Sequence, residues 1–222
     1  MGNVDQYPQL LLASMSPRRR ELLSLLGIEF AVRVADVDET RHPGETPGPF
    51  ALRLAREKVD AVKRCIPDGV VVIGADTIVV NGSDILGKPQ DPADADRILR
   101  ALRGRSHEVL TAITVDPVGE SVTYDDACTT EVQVRAFTDK EIDLYVASGD
   151  PLDKAGAYGI QNRQFRPAEP VDGCLANVMG LPLCHLTRNL RLLNIHSPVD
   201  VPHACQMHIE YDCPVYEQIL AP

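Results

Sequence analysis

The clearest chemical signal in this 222-residue chain is a run of three arginines, Arg18–Arg20, that follows Ser14, Ser16 and Pro17. Ser16 is a favoured N-cap residue and Pro17 suits the first helical position, so the arginines fall in the first turn of a predicted helix. That end of a helix is electropositive and attracts anions. A phosphate could accept hydrogen bonds there from backbone N–H groups, serine hydroxyls and guanidinium groups. The alternative is that the arginines lie in solvent or pair with surface carboxylates.

A carboxylate, Asp76, interrupts the most apolar run of the sequence, Val70–Val80. Because an isolated buried charge is costly, Asp76 needs a cage of hydrogen bonds, a cation or an opening to a cleft. A structural aspartate in a turn beside Gly74 is the alternative interpretation. If Asp76 is catalytic and surrounded by apolar residues, we expect its neutralisation to leave stability unchanged or to raise it.

Further charged residues complete a set suited to a polyphosphate. Asp38 and Glu39 form an acidic group, Lys58 falls on a predicted helix, and Lys88 lies beside a turn. Lysine and arginine neutralise phosphate oxygens, whereas carboxylates hold Mg²⁺ or activate water. The sequence lacks the complete P-loop motif, the GxSxG motif and the HExxH motif.

Composition limits the classes of protein and partner. The net charge of −10 argues against nonspecific binding to nucleic acid or to an anionic membrane. No apolar run is long enough for a membrane span, and no signal peptide is recognisable at the N-terminus. The six cysteines contain no CxxC pair and are expected to be free thiols, so we expect a cytoplasmic protein.

Alternating strand and helix signals predict an α/β fold that positions these residues. The β-branched run Val70–Val80 should be central in the sheet, and Asn81-Gly82 predicts a hairpin. Proline and glycine make Arg41–Pro49 an expected irregular loop. The segment Ser197–Pro222 shows little periodicity and is predicted to be an appended tail. Other predicted strands and helices cover Gln9–Ala13, Phe30–Val34, Phe50–Arg64, His107–Val115, Ala127–Ala136 and Leu181–Leu193, with helix N-caps at Ser16, Asp91 and Thr138.

A series of short motifs, in order along the chain, resembles the Maf family of nucleoside triphosphate pyrophosphatases. The resemblance spans about Gln9 to Ile195, nearly the whole chain. The motifs are Ala13-Ser14-Met15-Ser16-Pro17-Arg18-Arg19-Arg20-Glu21-Leu22-Leu23, Asp38-Glu39, Lys58, Gly74-Ala75-Asp76-Thr77, Gly87-Lys88-Pro89, Gly104-Arg105-Ser106-His107 and Tyr158-Gly159-Ile160-Gln161.

This resemblance implies a two-lobed α/β fold with a mixed sheet, related to the inosine triphosphatases, with the nucleotide in the cleft between the lobes. It also implies a hydrolase that cleaves between the α and β phosphates with a divalent metal, Mg²⁺ or Mn²⁺, and that is usually a homodimer. The family-like domain would cover residues 1–196, and residues 197–222 would be a C-terminal extension of unknown role.

The chemistry and the resemblance agree on the catalytic residues. Asp76 is the candidate for activating water, and Glu39 and Asp76 are the candidate metal ligands. Lys58 and Lys88 would neutralise charge on the phosphates.

Substrate binding is assigned to a second group of residues. Ser14, Ser16, Arg18 and Arg19 would bind phosphates at the helix start. The amide of Gln161 can donate and accept, so it could recognise the exocyclic groups of a pyrimidine.

The stretch Asp153–Gln161 is similar to the branch of the family that acts on dTTP and UTP. Asn162 stands where a glycine usually follows the glutamine, and Cys174-Leu175-Ala176 is unusual before Asn177. A phosphomonoesterase or a kinase would use the same charges but yield other products. A nucleotide-binding regulator of cell division, without turnover, is the non-enzyme alternative.

Overall fold

The computed structural model describes residues 9–168, 171 and 173–221. Six strands form its central sheet: β1 (Leu10–Ala13), β2 (Phe30–Arg33), β3 (Val71–Asn81), β4 (Asp84–Leu86), β5 (Ser106–Pro117) and β6 (Tyr124–Gln133). Their order is β2-β1-β3-β5-β6, and β4 pairs with β3. β1 is parallel to β2 and β3, whereas β3, β5 and β6 pair in antiparallel fashion. The sheet is therefore mixed, as predicted, and β3 is central.

Eight α-helices surround this sheet within the described residues, and two short 3₁₀ turns follow the fourth helix. No described helix is both long and apolar enough to cross a membrane. The helices are α1 (Pro17–Ser24), α2 (Pro47–Lys63), α3 (Pro92–Leu102), α4 (Asp139–Ala147), α5 (Leu175–Met179), α6 (Leu183–Leu192), α7 (Val201–Ile209) and α8 (Tyr216–Leu220), and the 3₁₀ turns are Asp150–Asp153 and Ala155–Ala157.

Local sequence signals account for the starts of three helices. The Ser16 hydroxyl caps α1, the Asp91 carboxylate caps α3, and Thr138 with Glu141 forms a capping box on α4. The hairpin between β3 and β4 turns at Gly82, which has a φ of 63° that glycine adopts without strain. These predictions are confirmed.

The clearest differences from the pattern-based prediction lie in two segments. α2 begins at Pro47 rather than at Phe50, because prolines and glycine are tolerated in a first turn whose N–H groups have no helical partner. The chain after α6 also forms helices, and Val201 and Cys205 of α7 are buried in the core. Packing against the rest of the protein thus stabilises a segment whose own periodicity is weak.

Apolar residues form separate clusters on the two sides of a cleft. One cluster packs β1 and α1 against α5, α6 and α7. Another joins α3 and α4 to Ala157, Tyr158 and Phe165 of the following loop. The predicted two-lobed mixed α/β fold is confirmed, and the cleft between the lobes holds the charged residues.

Candidate active site

A cleft of about 400 Å³ opens beside the middle of β3. Its size suits a nucleotide-sized ligand. Its wall combines the β1–α1 loop, α2, β3, the loop after β4 and the loop after α4. All of the site residues predicted from sequence line it: Ser14, Ser16, Arg18, Arg19, Glu39, Lys58, Asp76, Lys88 and Gln161.

The centre of the cleft is an ion cluster around the Lys58 ammonium. Lys58 Nζ lies 2.5 Å from Asp76 Oδ1 and 2.9 Å from Glu39 Oε1. The Lys58 and Asp76 side chains are each 9% exposed, whereas that of Glu39 is 46% exposed. Lys88 Nζ lies 3.7 Å from Glu39 Oε2. Asp76 therefore obtains two of the three compensations expected for a buried carboxylate, a cation and an opening to a cleft.

Close packing of α2 on β3 brings Lys58 to Asp76. Gly74 and Asp76 point to the same face of β3, and a Cβ on Gly74 would clash with Ala55 O and lie 2.7 Å from Val59 Cγ2. Only a residue without a side chain permits this approach. The helix turn that touches Gly74 also carries Lys58, so the glycine fixes the distance between the ammonium and the carboxylate.

Glu39 is held in its charged form. Desolvation acts to raise the pKa of its carboxyl group, but the charge and hydrogen bond of Lys58, with smaller contributions from Lys88 and Arg19, leave that pKa below its usual value. The carboxylate remains negative at neutral pH and partly accessible from the cleft. It can therefore accept a cation there without first losing a proton.

The β1–α1 loop presents a polar edge to the cleft. Ser14 is buried and its hydroxyl accepts the Ser16 N–H at 3.1 Å, while Ser16 caps α1. Arg19 is also buried: its Nε donates to Gly180 O at 2.8 Å and its Nη2 to Thr77 Oγ1 at 2.9 Å. Burial lowers the pKa of Arg19, against the opposing charges of Asp76 and Glu39. Arg18 is half-buried at the mouth.

The two arginines differ in burial, so we expect their loss to have different consequences. If Arg18 binds a substrate phosphate, as the family resemblance implies, Arg18→Ala should raise the KM for a nucleoside triphosphate about 10- to 100-fold with little loss of stability, because a charge-assisted phosphate contact is worth about 1.5–3 kcal/mol. Arg19→Ala should in addition lower the free energy of unfolding by about 2 kcal/mol, since it removes the links to Gly180 and Thr77. Urea unfolding and initial-rate kinetics check both, with exposed Arg20→Ala as the control. An unchanged KM in Arg18→Ala would instead support the alternative that Arg18 is a surface residue without a role in phosphate binding.

Sequence reasoning gave no role to three residues that line the cleft: Thr77, Lys154 and Tyr158. Thr77 follows Asp76 and bonds to both Arg19 and Thr111 Oγ1, the latter at 2.9 Å. A signal existed for each, because Thr77 and Tyr158 fall within motifs that carried the family resemblance and Lys154 falls within the stretch Asp153–Gln161 that resembles one branch of the family. Lys154 and Tyr158 lie in a loop whose path depends on tertiary contacts, so their positions required the structure.

A buried histidine supports the cleft wall from behind. His107 Nε2 lies 2.7 Å from the Tyr158 hydroxyl, and its Nδ1 has no hydrogen-bond partner among the described residues. Burial lowers the pKa of His107 to about 4. The imidazole is therefore neutral in the folded protein at neutral pH.

This histidine should make stability depend on pH. Between the unfolded pKa of about 6.5 and the folded value, the unfolded chain binds a proton that the folded chain does not, so stability falls as pH falls. The expected loss is about 1.4 kcal/mol per pH unit. Urea unfolding at about pH 7 and about pH 5 measures how much the free energy of unfolding falls between these pH values. This decrease should be smaller for His107→Gln than for the wild type, and the same as the wild type for the exposed control His203→Gln. An equal loss in His107→Gln would contradict this assignment.

The carboxylates of the cleft fit a divalent metal shared with substrate. Glu39 and Asp76 lie close together, since both contact the same Lys58 nitrogen. Because that nitrogen occupies the point between them, a metal would bind beside it, at carboxylate oxygens that face the cleft. Among the described residues, no group of three or more histidine, cysteine, aspartate or glutamate side chains is arranged to hold a metal. Two carboxylates suffice where Mg²⁺ also binds substrate phosphates, because this ion usually takes one or two carboxylates and keeps water or phosphate as its other ligands.

Comparison with known proteins relates this chain to one family. The model of the Maf-like protein family matches residues 9–193. A dTTP/UTP pyrophosphatase of Anaeromyxobacter dehalogenans (strain 2CP-1) is 48% identical over 197 residues, which cover 88% of this chain and 99% of that protein. A dTTP/UTP pyrophosphatase of Geobacter sulfurreducens is 47% identical over 183 residues, covering 82% and 95%. The Ham1 protein of Staphylococcus aureus is a structural neighbour with a TM-score of 0.41 and 17% identity, covering 56% of this chain and 71% of that one.

Proposed function

The chain belongs to the family of Maf-like proteins, and on that premise we propose that it hydrolyses dTTP and UTP to the nucleoside monophosphate and pyrophosphate. The cluster of Asp76, Glu39 and Lys58 beside the basic start of α1 is the structural observation that most strongly supports this reaction. It joins a carboxylate able to activate water to cations able to neutralise a triphosphate.

In the proposed reaction, Asp76 accepts a proton from water while the water oxygen forms a bond to the α-phosphorus. The bond between the α-phosphorus and the oxygen that bridges the α and β phosphates breaks, and pyrophosphate leaves with that oxygen and the bonding electrons. Asp76 suits this role because it is fixed in β3 and its side chain opens to the cleft. A positioned base of this kind contributes about 10²- to 10⁴-fold.

The cations of the cleft bind and orient the triphosphate. Partly exposed Arg18 and Lys88, whose side chain is 59% exposed, are accessible to phosphate oxygens. Ser14, Ser16 and Arg19 line the same cleft. Lys58 holds the two carboxylates together, so it keeps Asp76 oriented and balances the local charge.

A divalent cation, Mg²⁺ or Mn²⁺, is part of the proposal. Glu39 and Asp76 would hold it together with substrate phosphates. Such an ion, when bound, neutralises phosphate charge and polarises the phosphorus–oxygen bonds. The partly exposed Glu39 carboxylate supports this role because it already faces the cleft as an anion.

Gln161 is proposed to recognise the base. It lies on the cleft lining and its side chain is exposed. We further propose that the enzyme is cytoplasmic and homodimeric, and that residues 1–196 form the catalytic domain with 197–222 as an extension. The free thiols support the cytoplasmic location, and the family match that ends at residue 193 supports the domain boundary. The homodimer is proposed from the family resemblance.

A panel of nucleoside triphosphates, with Mg²⁺ or Mn²⁺, tests the proposed reaction. The expected result is release of pyrophosphate, with dTTP and UTP the preferred substrates. Release of orthophosphate would contradict the reaction, as would absence of turnover. Preference for a purine triphosphate would reject only the choice of substrate. A chelator should abolish turnover, and either metal should restore it.

A further inference from the structure

A polar cluster outside the ion cluster holds the rim of the cleft beside Gln161. Its centre is the Asp150 carboxylate, in the first 3₁₀ turn. Asp150 Oδ2 accepts the Tyr145 hydroxyl at 2.6 Å and the Asn162 amide at 3.1 Å, and Asp150 Oδ1 accepts Lys154 Nζ at 3.0 Å. Desolvation opposes the charge, but these donors leave the pKa of Asp150 below its usual value.

Both ends of the turn that carries Gln161 are tied to this carboxylate. Gly159 N donates to the Tyr145 hydroxyl at 3.0 Å, and Asn162 donates directly to Asp150. Asn162 N also donates to Gly159 O at 2.9 Å, which closes the turn across Ile160 and Gln161. One carboxylate oxygen therefore fixes the backbone before and after Gln161.

Lys154 belongs to this cluster rather than to the phosphate-binding groups. Its side chain is 8% exposed, and Nζ donates to Asp150 O at 2.6 Å, to Asp150 Oδ1 and to Asp153 Oδ1 at 2.7 Å. Three donors thus meet three acceptors, and none remains for substrate. A Cβ on Gly159 would lie 2.9 Å from Lys154 Cε, so the lysine stem also supports the turn.

Aromatic packing makes the cluster rigid from the other side. The Tyr145 ring stacks on Phe165 with centroids 3.9 Å apart and an angle of 12°. Phe165 N in turn donates to Asn162 Oδ1 at 2.7 Å. By contrast, the Gln161 amide makes no hydrogen bond within the described part of the chain, although the turn that bears it is anchored. The geometry is that of a fixed backbone presenting a free amide.

We propose that Asp150, Tyr145 and Asn162 are positioning residues that fix Gln161 and thereby set the discrimination between pyrimidine and purine triphosphates. The proposal rests on the proposed function, in which Gln161 recognises the base. A group that recognises its ligand by hydrogen bonds must be held within about 0.5 Å of its working position. Loss of either tie lets the turn move, and it weakens the interaction with the correct base more than it weakens phosphate binding.

Two variants each cut one tie to Asp150. Tyr145→Phe retains the ring stacked on Phe165 and removes only the hydroxyl. Asn162→Ala removes the amide that bonds to Asp150 and, with it, the oxygen that accepts the Phe165 N–H. The matched control is Arg163→Ala, which is adjacent in sequence and removes only an exposed pair with Glu210. For each protein we would measure kcat and KM for dTTP and for dATP, and the melting temperature. Calorimetry would give the Kd of the non-hydrolysable α,β-imido analogues of both nucleotides.

In both variants we expect the ratio of kcat/KM for dTTP over dATP to fall about 10-fold, mainly through a higher KM for dTTP. The same shift should be present in the ratio of analogue Kd values. The kcat for saturating dTTP should change less than about threefold, because the residues that act on the phosphates are untouched. Arg163→Ala should match the wild type. The double variant should lose less discrimination between dTTP and dATP than the sum of the two single losses, expressed as free energies, since the two ties act on one turn.

Unchanged ratios in both variants, with or without a lower melting temperature, would overturn the positioning role and leave a structural one. Equal binding of the pyrimidine and purine analogues by the wild type would also overturn it. Absence of pyrophosphate release by the wild type is a different failure, which rejects the proposed reaction. In that case the analogue Kd ratios still decide whether the cluster positions Gln161.

Discussion

Asp76→Asn is expected to lower kcat by at least about 100-fold, because it removes the negative charge that takes the proton from water while keeping size and shape. KM for dTTP should change much less, since the arginine and lysine contacts to phosphate remain. Steady-state kinetics on samples of equal folded concentration provide the measurement.

The structure corrects the expectation that neutralising Asp76 leaves stability unchanged or raises it. Asp76 is paired with Lys58 at 2.5 Å, so Asp76→Asn removes an ion pair instead of relieving an isolated charge. We now expect the free energy of unfolding to fall by about 1–3 kcal/mol. Asp116→Asn is the matched control, because Asp116 is equally buried, bonds to Lys63 at 3.1 Å and lies outside the cleft lining. A less stable Asp76→Asn with normal kcat would show that the carboxylate is structural only.

Lys58→Met should have the largest effect on stability. The methionine has a similar apolar stem, but it leaves Asp76 buried without its cation and next to the like charge of Glu39. Removing one partner of a buried pair costs about 3–5 kcal/mol, and we expect a loss near the lower value because the Glu39 carboxylate can turn to solvent. We also expect kcat/KM to fall at least about 100-fold, since the orientation of the carboxylates is lost.

The double variant Lys58→Met/Asp76→Asn separates charge balance from catalysis. Because no buried charge is then unpaired, it should recover part of the stability lost in Lys58→Met, while activity remains low. Urea unfolding of the two single variants and the double variant gives the coupling energy. Additive losses of stability would contradict a direct Lys58–Asp76 interaction.

Some residues of the site could be predicted from local sequence patterns, because each pattern has a direct physical meaning. Asp76 stood out because a charge within a β-branched run requires compensation, and Ser16 with Pro17 located the helix end beside the cleft. The structure brings both features to one cleft. Such features are local, so spacing and composition are enough to find them.

Other parts of the site depend on contacts between distant segments. The packing of α2 against Gly74 decides that Lys58 meets Asp76, and no pattern within either segment contains that distance. The links from Arg19 to Gly180 and from Asn162 to Asp150 depend equally on the path of loops. In the same way, α7 buries Val201 and Cys205 against residues that are distant in sequence, and no pattern within α7 contains those contacts.

Cleavage of dTTP between its α and β phosphates, with Asp76 as the base, is tested most directly by ³¹P NMR of dTTP during incubation with the wild-type protein and Mg²⁺, beside Asp76→Asn at the same folded concentration. We expect dTMP and pyrophosphate to appear in equal amounts with the wild type, without dTDP or orthophosphate, and at least about 100-fold more slowly with the variant. Formation of dTDP and orthophosphate by the wild type, or equal rates for the two proteins, would contradict it.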